Sequence, residues 1–443
     1  MLHKSLFTLG HQAQDAKFYS TYKNVVKNQW KPYKEQKVQQ EKKLRNMISF
    51  AYKNVPYYHK LFNELKISPQ DICTIEDLEK LPILNKDIIK ANWEDFKPAN
   101  LSSMNYNEQA TGGSTGTPFK YRLLKSDRFM SAALLYRGWG YAGYDLGDKM
   151  AYLAGSSLGI GTKTALLKNI HEFTRNIRKL SSFDMGEEDM QHYTHIINSF
   201  HPKFIRGYAS SIYFYAKWIH ENDITVQSPD AVFTTAEKLL PHMRDMISNT
   251  FDCDVYDSYG LNDGSMSASE CQEHTGLHID TERGIMEVVD DDNCQIEEGT
   301  GNIIATSLNN FAMPFIRYQT GDMGHIIEDK CECGRESKLL KEVVGRQQEM
   351  LQTPEGKYVH GTFFVYVFKK VHGVKEFQVI QKTLERIRIL LVTDVNFDEK
   401  QFEFIRSVAK SKSTQWNIEF EIVNHIERTK AGKYKFIVNE VCK

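Results

Sequence analysis

The stretch Ala110-Thr-Gly-Gly-Ser-Thr-Gly-Thr-Pro118 sets Gly112, Gly113 and Gly116 among the hydroxyl residues Thr111, Ser114, Thr115 and Thr117. Glycine leaves no side chain to hold a ligand off the backbone, so successive N–H groups can turn toward one point while the hydroxyls add donors. Such a loop can wrap a polyphosphate. A plain surface turn shares part of this composition, but the length and hydroxyl density favour phosphate. The Gly-Lys-Ser/Thr step of a Walker loop is missing, so this is a phosphate loop of another kind.

Outward from this loop the texture changes in both directions. Residues 1–95 read as a helical preface, with many charges, periodic apolar positions and the aromatic group NVPYYHKLF. After the loop, short apolar strands (MAYLAG, KFIRGYAS, DAVFTTAE, CDVYDSYG) alternate with helical stretches such as SIYFYAKWIHEN and PHMRDMISNTF. That alternation predicts an α/β domain with parallel sheet. A β-rich stretch follows (GIMEVVD, GTGNIIATSL, FIRYQTGDMGHII) and ends near Arg346. KEFQVIQK, ERIRILLVT, a helix around FEFIRSVAKS and NIEFEIV then form a small α+β unit, with a linker expected between Arg346 and Leu351.

The chain has 443 residues, 41% of them hydrophobic, which is enough for one large domain and a small one. Lys+Arg number 56 against Asp+Glu 57, so no global field favours nucleic acid or an anionic membrane, and small molecules are the expected partners. No apolar run is long enough to insert in a membrane, and MLHKSLFTLGHQAQD is too polar for a signal peptide. A cytoplasmic location is expected. Seven unevenly spread cysteines argue against a secreted disulfide framework. Cys271, His278, Cys331 and Cys333, with Cys253 and His274 nearby in sequence, offer soft thiolates and imidazole for a structural zinc ion. The run Lys168–Lys179 is basic at near-helical spacing, which most often marks a solvated helix face.

Several segments, taken in order, resemble the adenylate-forming superfamily that includes acyl-CoA ligases. TGGSTGTP resembles its phosphate loop. Thr234-Thr-Ala-Glu-Lys238 resembles the segment that edges adenine, placing Thr235, Ala236 and Glu237 on the nucleotide. Asp257-Ser258-Tyr259-Gly260 resembles the aromatic step whose tyrosine stacks on the base. Tyr318-Gln-Thr-Gly-Asp322 resembles the motif whose aspartate takes the ribose hydroxyls. Gly345-Arg346 resembles the start of the interdomain hinge, which places Arg346 among the nucleotide-binding residues and Gln348 at the pivot, and Arg428-Thr-Lys-Ala-Gly-Lys433 resembles the C-terminal lysine motif. NVPYYHKLF, FIRGYASS and CECGR are similar to the phenylacetate-CoA-ligase-like branch, including relatives from capsular-polysaccharide clusters.

The resemblance implies a large ATP- and carboxylate-binding domain over 1–346, built of packed mixed sheets, helices and a β-rich subdomain. It also implies a small mobile α+β domain over 347–443 that carries the catalytic Lys433. The implied reaction joins a carboxylic acid to ATP as an acyl-adenylate, with Mg²⁺, and passes the acyl group to coenzyme A. A homodimer is common among similar proteins. One departure stands out: the family usually has Thr or Ser and then Glu after the Tyr-Gly step, and this chain reads Leu261-Asn262-Asp263. Asp263 is a hard oxygen ligand one methylene shorter. Tyr208 in RGYASS is a candidate for the acyl pocket, a core role being equally open. Acyl transfer to an amine, sugar or polysaccharide precursor, adenylylation of a deazaflavin-like acceptor and a non-catalytic nucleotide-binding protein are the alternatives.

Overall fold

The computed structural model describes all residues except 1, 111–118, 155–164, 183–184, 264, 347–349, 356–357, 361, 369, 429–433 and 442–443. The chain divides into two compact units, Met1–Val344 and Gly345–Lys443.

The first unit opens with helices α1 (Leu2–Gln12), α2 (Phe18–Asn28), α3 (Tyr33–Asn54), α4 (Pro56–Leu65) and α5 (Lys86–Ala91). In α3 the buried residues Gln36, Gln40, Leu44, Met47, Ile48 and Ala51 recur every three or four positions, so one stripe faces inward. Pro56 starts α4 at its first turn, where no amide donor is needed, and Lys66 closes it in a left-handed conformation. The segment after α4 is held by short 3₁₀ turns, with Ser68 and Asp71 capping each other. Strands β1 (Tyr106–Ala110) and β2 (Lys120–Leu124) pair antiparallel on either side of the 111–118 loop.

Helix α6 (Lys125–Trp139) leads into a five-stranded parallel sheet formed by β3 (Met150–Ala154), β4 (Ile177–Ser181), β5 (Phe204–Tyr208), β6 (Ala231–Thr235) and β7 (Asp254–Tyr256). Helices α7 (Ala165–Arg175), α8 (Glu187–Phe200), α9 (Ala209–Glu221) and α10 (Pro241–Phe251) connect its strands. The basic run therefore breaks after Arg175, and its last residues enter β4. Strand order is β4-β3-β5-β6-β7, so the winding reverses between β3 and β5. In open α/β sheets, ligands bind outside the carboxyl ends of the strands at such a reversal. Alternate side chains fill two cores. Met150, Phe204 and Phe233 pack with α1, α2 and α6, and Leu153, Ile205 and Val232 pack with α8, α9 and α10. Gly207 makes the β3–β5 spacing attainable, because a Cβ there would lie 2.1 Å from the Leu153 carbonyl oxygen. Gly207→Ala is expected to abolish recovery of folded protein, as read by circular dichroism and gel filtration; a wild-type melting curve would refute this.

A seven-stranded sheet follows, made of β8 (Ser258–Gly260), β9 (Ser267–Glu270), β10 (Leu277–Ile279), β11 (Gly284–Val289), β12 (Gly299–Ser307), β13 (Tyr318–Ile327) and β14 (Leu339–Arg346) in the order β11-β12-β13-β14-β10-β9-β8. Burial alternates strictly along β13, as a sheet with one covered face requires. Its cover is α3 and α4, through Leu44, Ile48, Tyr58 and Phe62. Buried ion pairs span long sequence gaps: Arg137 with Asp280 and Glu282, Arg283 with Asp127, and Arg317 with Glu287.

The second unit contains the short pair β15 (Met350–Gln352) and β16 (Tyr358–His360), helix α11 (Thr362–Phe368), β17 (Val374–Gln381), β18 (Arg386–Thr393), α12 (Gln401–Lys410), β19 (Asn417–Ile422) and β20 (Ile437–Asn439). Its four-stranded sheet runs β19-β18-β17-β20 over a core that includes Phe364, Ile405 and Trp416. Among the described residues no helix is long and apolar enough to cross a membrane.

Candidate active site and metal centre

The residues expected to edge a nucleotide gather where the two sheets of the first unit meet. Thr235 ends β6, and Ala236 follows with φ 67°, a left-handed conformation that costs energy for alanine and tends to persist at functional sites. Glu237 then accepts the Ser210 amide at 2.9 Å, which ties this turn to the start of α9 beside Tyr208. Lys238 Nζ donates to Glu342 Oε2 at 3.0 Å and to the Val344 carbonyl at 3.1 Å, joining it to β14.

The Asp257-Ser258-Tyr259-Gly260 step is sewn to β6 from both sides. The Thr234 hydroxyl donates to Asp257 Oδ1 at 2.7 Å, and the Ser258 hydroxyl donates to the Thr234 carbonyl at 2.8 Å. Arg244 grips both oxygens of Glu270 at 2.9 Å, and Glu270 in turn accepts the Asp257 amide at 2.7 Å. Burial pushes the Asp257 carboxyl up to about 7, opposed by the Thr234 bond and aided by Glu270. Gly260 is exposed at the end of β8.

Tyr259 and Asp322, 63 residues apart, meet: the phenol donates to Asp322 Oδ2 at 2.8 Å. The Asp322 amide bonds the Thr320 hydroxyl at 3.0 Å, and that hydroxyl donates to the Ile303 carbonyl at 2.8 Å. Asp263, 5% exposed, accepts the Ser265 hydroxyl at 2.6 Å. Burial raises its carboxyl above the usual range; Ser265, Arg283 and Lys86 oppose that rise and Asp322 adds to it. Arg283 pins the loop itself, donating to the Leu261 and Met266 carbonyls at 2.9 and 3.2 Å. Two neighbouring carboxylates of this kind suit a hard divalent cation.

Tyr208 is fully buried at the end of β5, on the reversal point of the parallel sheet. Residues Thr111, Gly112, Gly113, Ser114, Thr115, Gly116 and Thr117 lie outside the described residues, as do Gln348, the Arg346 side chain and Lys433. The flanks of the lysine segment are anchored within the second unit. Arg428 Nη2 donates to Glu376 Oε1 at 2.9 Å, and the Phe377 amide donates to the Tyr434 hydroxyl at 3.0 Å, both on β17.

The four expected metal ligands converge. Their donor atoms all lie within 4.8 Å of one another. Cys271 Sγ is 3.5 Å from Cys331 Sγ and Cys333 Sγ is 3.3 Å from His278 Nε2. A disulfide would need sulfurs about 2.05 Å apart, whereas ligands of a tetrahedral zinc ion sit about 3.3–3.8 Å from each other given bonds of about 2.0–2.3 Å. His278 Nδ1 bonds the Ser337 hydroxyl at 3.1 Å, leaving Nε2 turned to the cluster, as an outer hydrogen bond does in metal sites. Three thiols and one imidazole fit zinc. Cys253 and His274 stand apart from this cluster; His274 contacts Glu270 instead. Arg335 stacks on Tyr141 and Trp30 at 4.0 and 4.5 Å and donates to Gln29 Oε1.

Residues 351–440 match the CapK C-terminal domain family. Protein CapK of Staphylococcus aureus is 25% identical over 415 residues, covering 91% of this chain and 89% of that protein. Phenylacetate-coenzyme A ligase of Thermus thermophilus is 26% identical over 323 residues, 70% of each chain. The structure of 2-hydroxyisobutyryl-CoA ligase in the postadenylation state with 2-HIB-AMP superposes with a TM-score of 0.73 at 17% identity, over 92% of this chain and 90% of that one. The fold is that of the adenylate-forming ligases. Within the adenylate-forming fold of this chain, reading the sequence missed Glu270, Arg244, Asp127 and Arg283. They support the motifs from distant positions and carry no local pattern.

Proposed function

We propose that this chain activates a carboxylic acid with ATP and transfers the acyl group to coenzyme A. The supporting observation is the meeting of Tyr259 and Asp322 at 2.8 Å with Asp263 beside them, which assembles base-stacking, ribose-binding and metal-binding groups from separate motifs. The substrate carboxylate oxygen attacks the α-phosphorus of ATP and pyrophosphate leaves. The sulfur of coenzyme A then attacks the acyl carbon and AMP leaves. The loop Thr111–Thr117 cradles the phosphates, Thr235–Glu237 and Tyr259 hold adenine, Asp322 holds the ribose, and Lys433 offsets charge between the two anions. Gln348 is the hinge that would let the small domain, residues 347–443, serve both half-reactions.

Magnesium, when bound, would draw charge from the phosphates; Asp263 is the residue that would hold it. Because burial raises the Asp263 carboxyl, protons compete with the metal for it. The magnesium concentration needed for half-maximal activity is expected to rise as pH is lowered, and to lose that dependence in Asp263→Asn. An unchanged pH dependence in the variant would count against this role. Cys271, His278, Cys331 and Cys333 would hold a structural zinc. The free described cysteines suit a reducing cytoplasm, and a homodimer is open to sedimentation analysis.

Acid-dependent exchange of labelled pyrophosphate into ATP, screened over aryl, fatty and amino acids, tests this reading. Exchange with at least one acid, followed by AMP release that depends on coenzyme A, is the expected result. Measurable ATP binding without exchange for any acid would instead support a nucleotide-binding protein. In a variant of this reading an amine or hydroxyl of a sugar or polysaccharide precursor replaces the thiol. AMP release would then depend on that acceptor.

A further inference from the structure

Arg206 stands on β5 directly opposite Tyr152 of β3, in the strand pair where the winding of the parallel sheet reverses. It is 9% exposed, and its guanidinium lies 4.9 Å from the Trp139 ring and 5.8 Å from the Tyr152 ring. The Tyr152 hydroxyl shares it. Most other arginines buried in this unit have acids: Arg122 has Glu108, Arg137 has Asp280 and Glu282, Arg283 has Asp127, and Arg317 has Glu287; Arg335, the exception, is held between Tyr141 and Trp30 and donates to Gln29. Among the described residues no carboxylate pairs with Arg206, and its Nε has no hydrogen-bond partner. Beside it the indole Nε1 of Trp139 is equally buried and equally unpartnered. Arg175 acts on the same Tyr152 and on Tyr136.

A buried cation without a counter-charge costs far more than two cation–π contacts return. Two orphaned donors on neighbouring buried side chains mark a place for an acceptor-rich anionic group. The location says which molecule brings it. Arg206 lies two residues before the end of β5, about 7 Å below the strand ends at a rise of about 3.3 Å per residue. The nucleotide candidates Thr235–Glu237 and Asp257–Gly260 lie at or beyond the strand ends. A group reaching down over the sheet face that carries Tyr152 and Arg206 therefore belongs to the non-reacting end of the other substrate. Tyr152 keeps partial exposure despite its place in the sheet.

We propose that Arg206 and the indole N–H of Trp139 bind a second anionic group on the acid, making the substrate a short diacid or another acid with an oxyanion tail. This rests on the acid-activating function proposed above.

The test compares matched pairs, butyrate against succinate and benzoate against isophthalate, by pyrophosphate exchange with the full chain. The wild type should favour the dianionic member by at least about 100-fold in kcat/KM, because a site built to pair a polar group rejects the analogue lacking it. Arg206→Met should lower that ratio about 100-fold, and Trp139→Phe, which removes only the N–H, about tenfold. Arg206→Lys keeps the charge and should retain most of the preference, which covers the case in which the methionine variant does not fold. Exchange confined to monoanionic acids, or equal losses for both members of each pair, overturns the inference and leaves the function intact. Absence of exchange with acids of either class overturns the function itself.

Discussion

Pyrophosphate exchange should fall about 10²–10³-fold when Lys433 is replaced by methionine, while ATP affinity changes far less. The reaction forces a carboxylate against an α-phosphate, and both carry negative charge that an ammonium placed between them offsets most as the new bond forms. An interaction strongest in the transition state shows in kcat rather than in binding. The segment that carries Lys433 springs from a firm base: Arg428 and Tyr434, on either side of it, are both bonded to β17 through Glu376 and Phe377. Asp322→Ala should behave differently. Its carboxylate, already engaged by the Tyr259 phenol at 2.8 Å, is assigned to the ribose, so the main effect should be a raised KM for ATP. Full-speed exchange by a folded Lys433→Met protein would remove the basis of the proposed mechanism.

Much of this architecture is legible because it rests on local pattern. The parallel strands are visible as short apolar runs between helical stretches, and β13 lies within the β-rich stretch FIRYQTGDMGHII, its strict alternation appearing only in burial. The cluster of Cys271, His278, Cys331 and Cys333 could be picked out because cysteine and histidine are scarce and chemically marked. The supports of the site were not legible. Arg283 meets Asp127 across 156 residues, and Arg137 meets Asp280 across 143; nothing in either neighbourhood distinguishes a buried charge from a solvated one until the chain is folded. The same holds for Glu270. It falls on a short strand, and its role as a clamp on the Asp257 amide depends on how β9 lies against the loop after β7. The end of α7 was lost for another reason: Lys168–Lys179 keeps a near-helical spacing of basic residues, yet Ile177–Ser181 pairs with β3 in the parallel sheet. Tertiary pairing overrode a local pattern there.

Removing the metal should lower the melting temperature by more than about 10 °C, because structural zinc sites contribute roughly 10–16 kcal/mol in small domains whereas whole proteins are stable by only about 5–15 kcal/mol. The cluster joins Cys271, just after β9, and His278 in β10 to Cys331 and Cys333, so its loss frees a connection that the sheet ladder alone must then hold. Cys331→Ser should reproduce the effect in part, since a hydroxyl is a poor zinc ligand and leaves three donors. A second consequence follows from the chain itself. Glu270 immediately precedes Cys271 and fixes the amide of Asp257, so loosening the metal end of β9 should also weaken ATP binding, separately from global unfolding. Protein purified without chelator should carry close to one equivalent of zinc, and less than about half an equivalent would count against a site of this ligand set. If chelation leaves the melting curve unmoved while zinc is shown to be gone, the four residues are a buried thiol cluster whose packing alone supports β9.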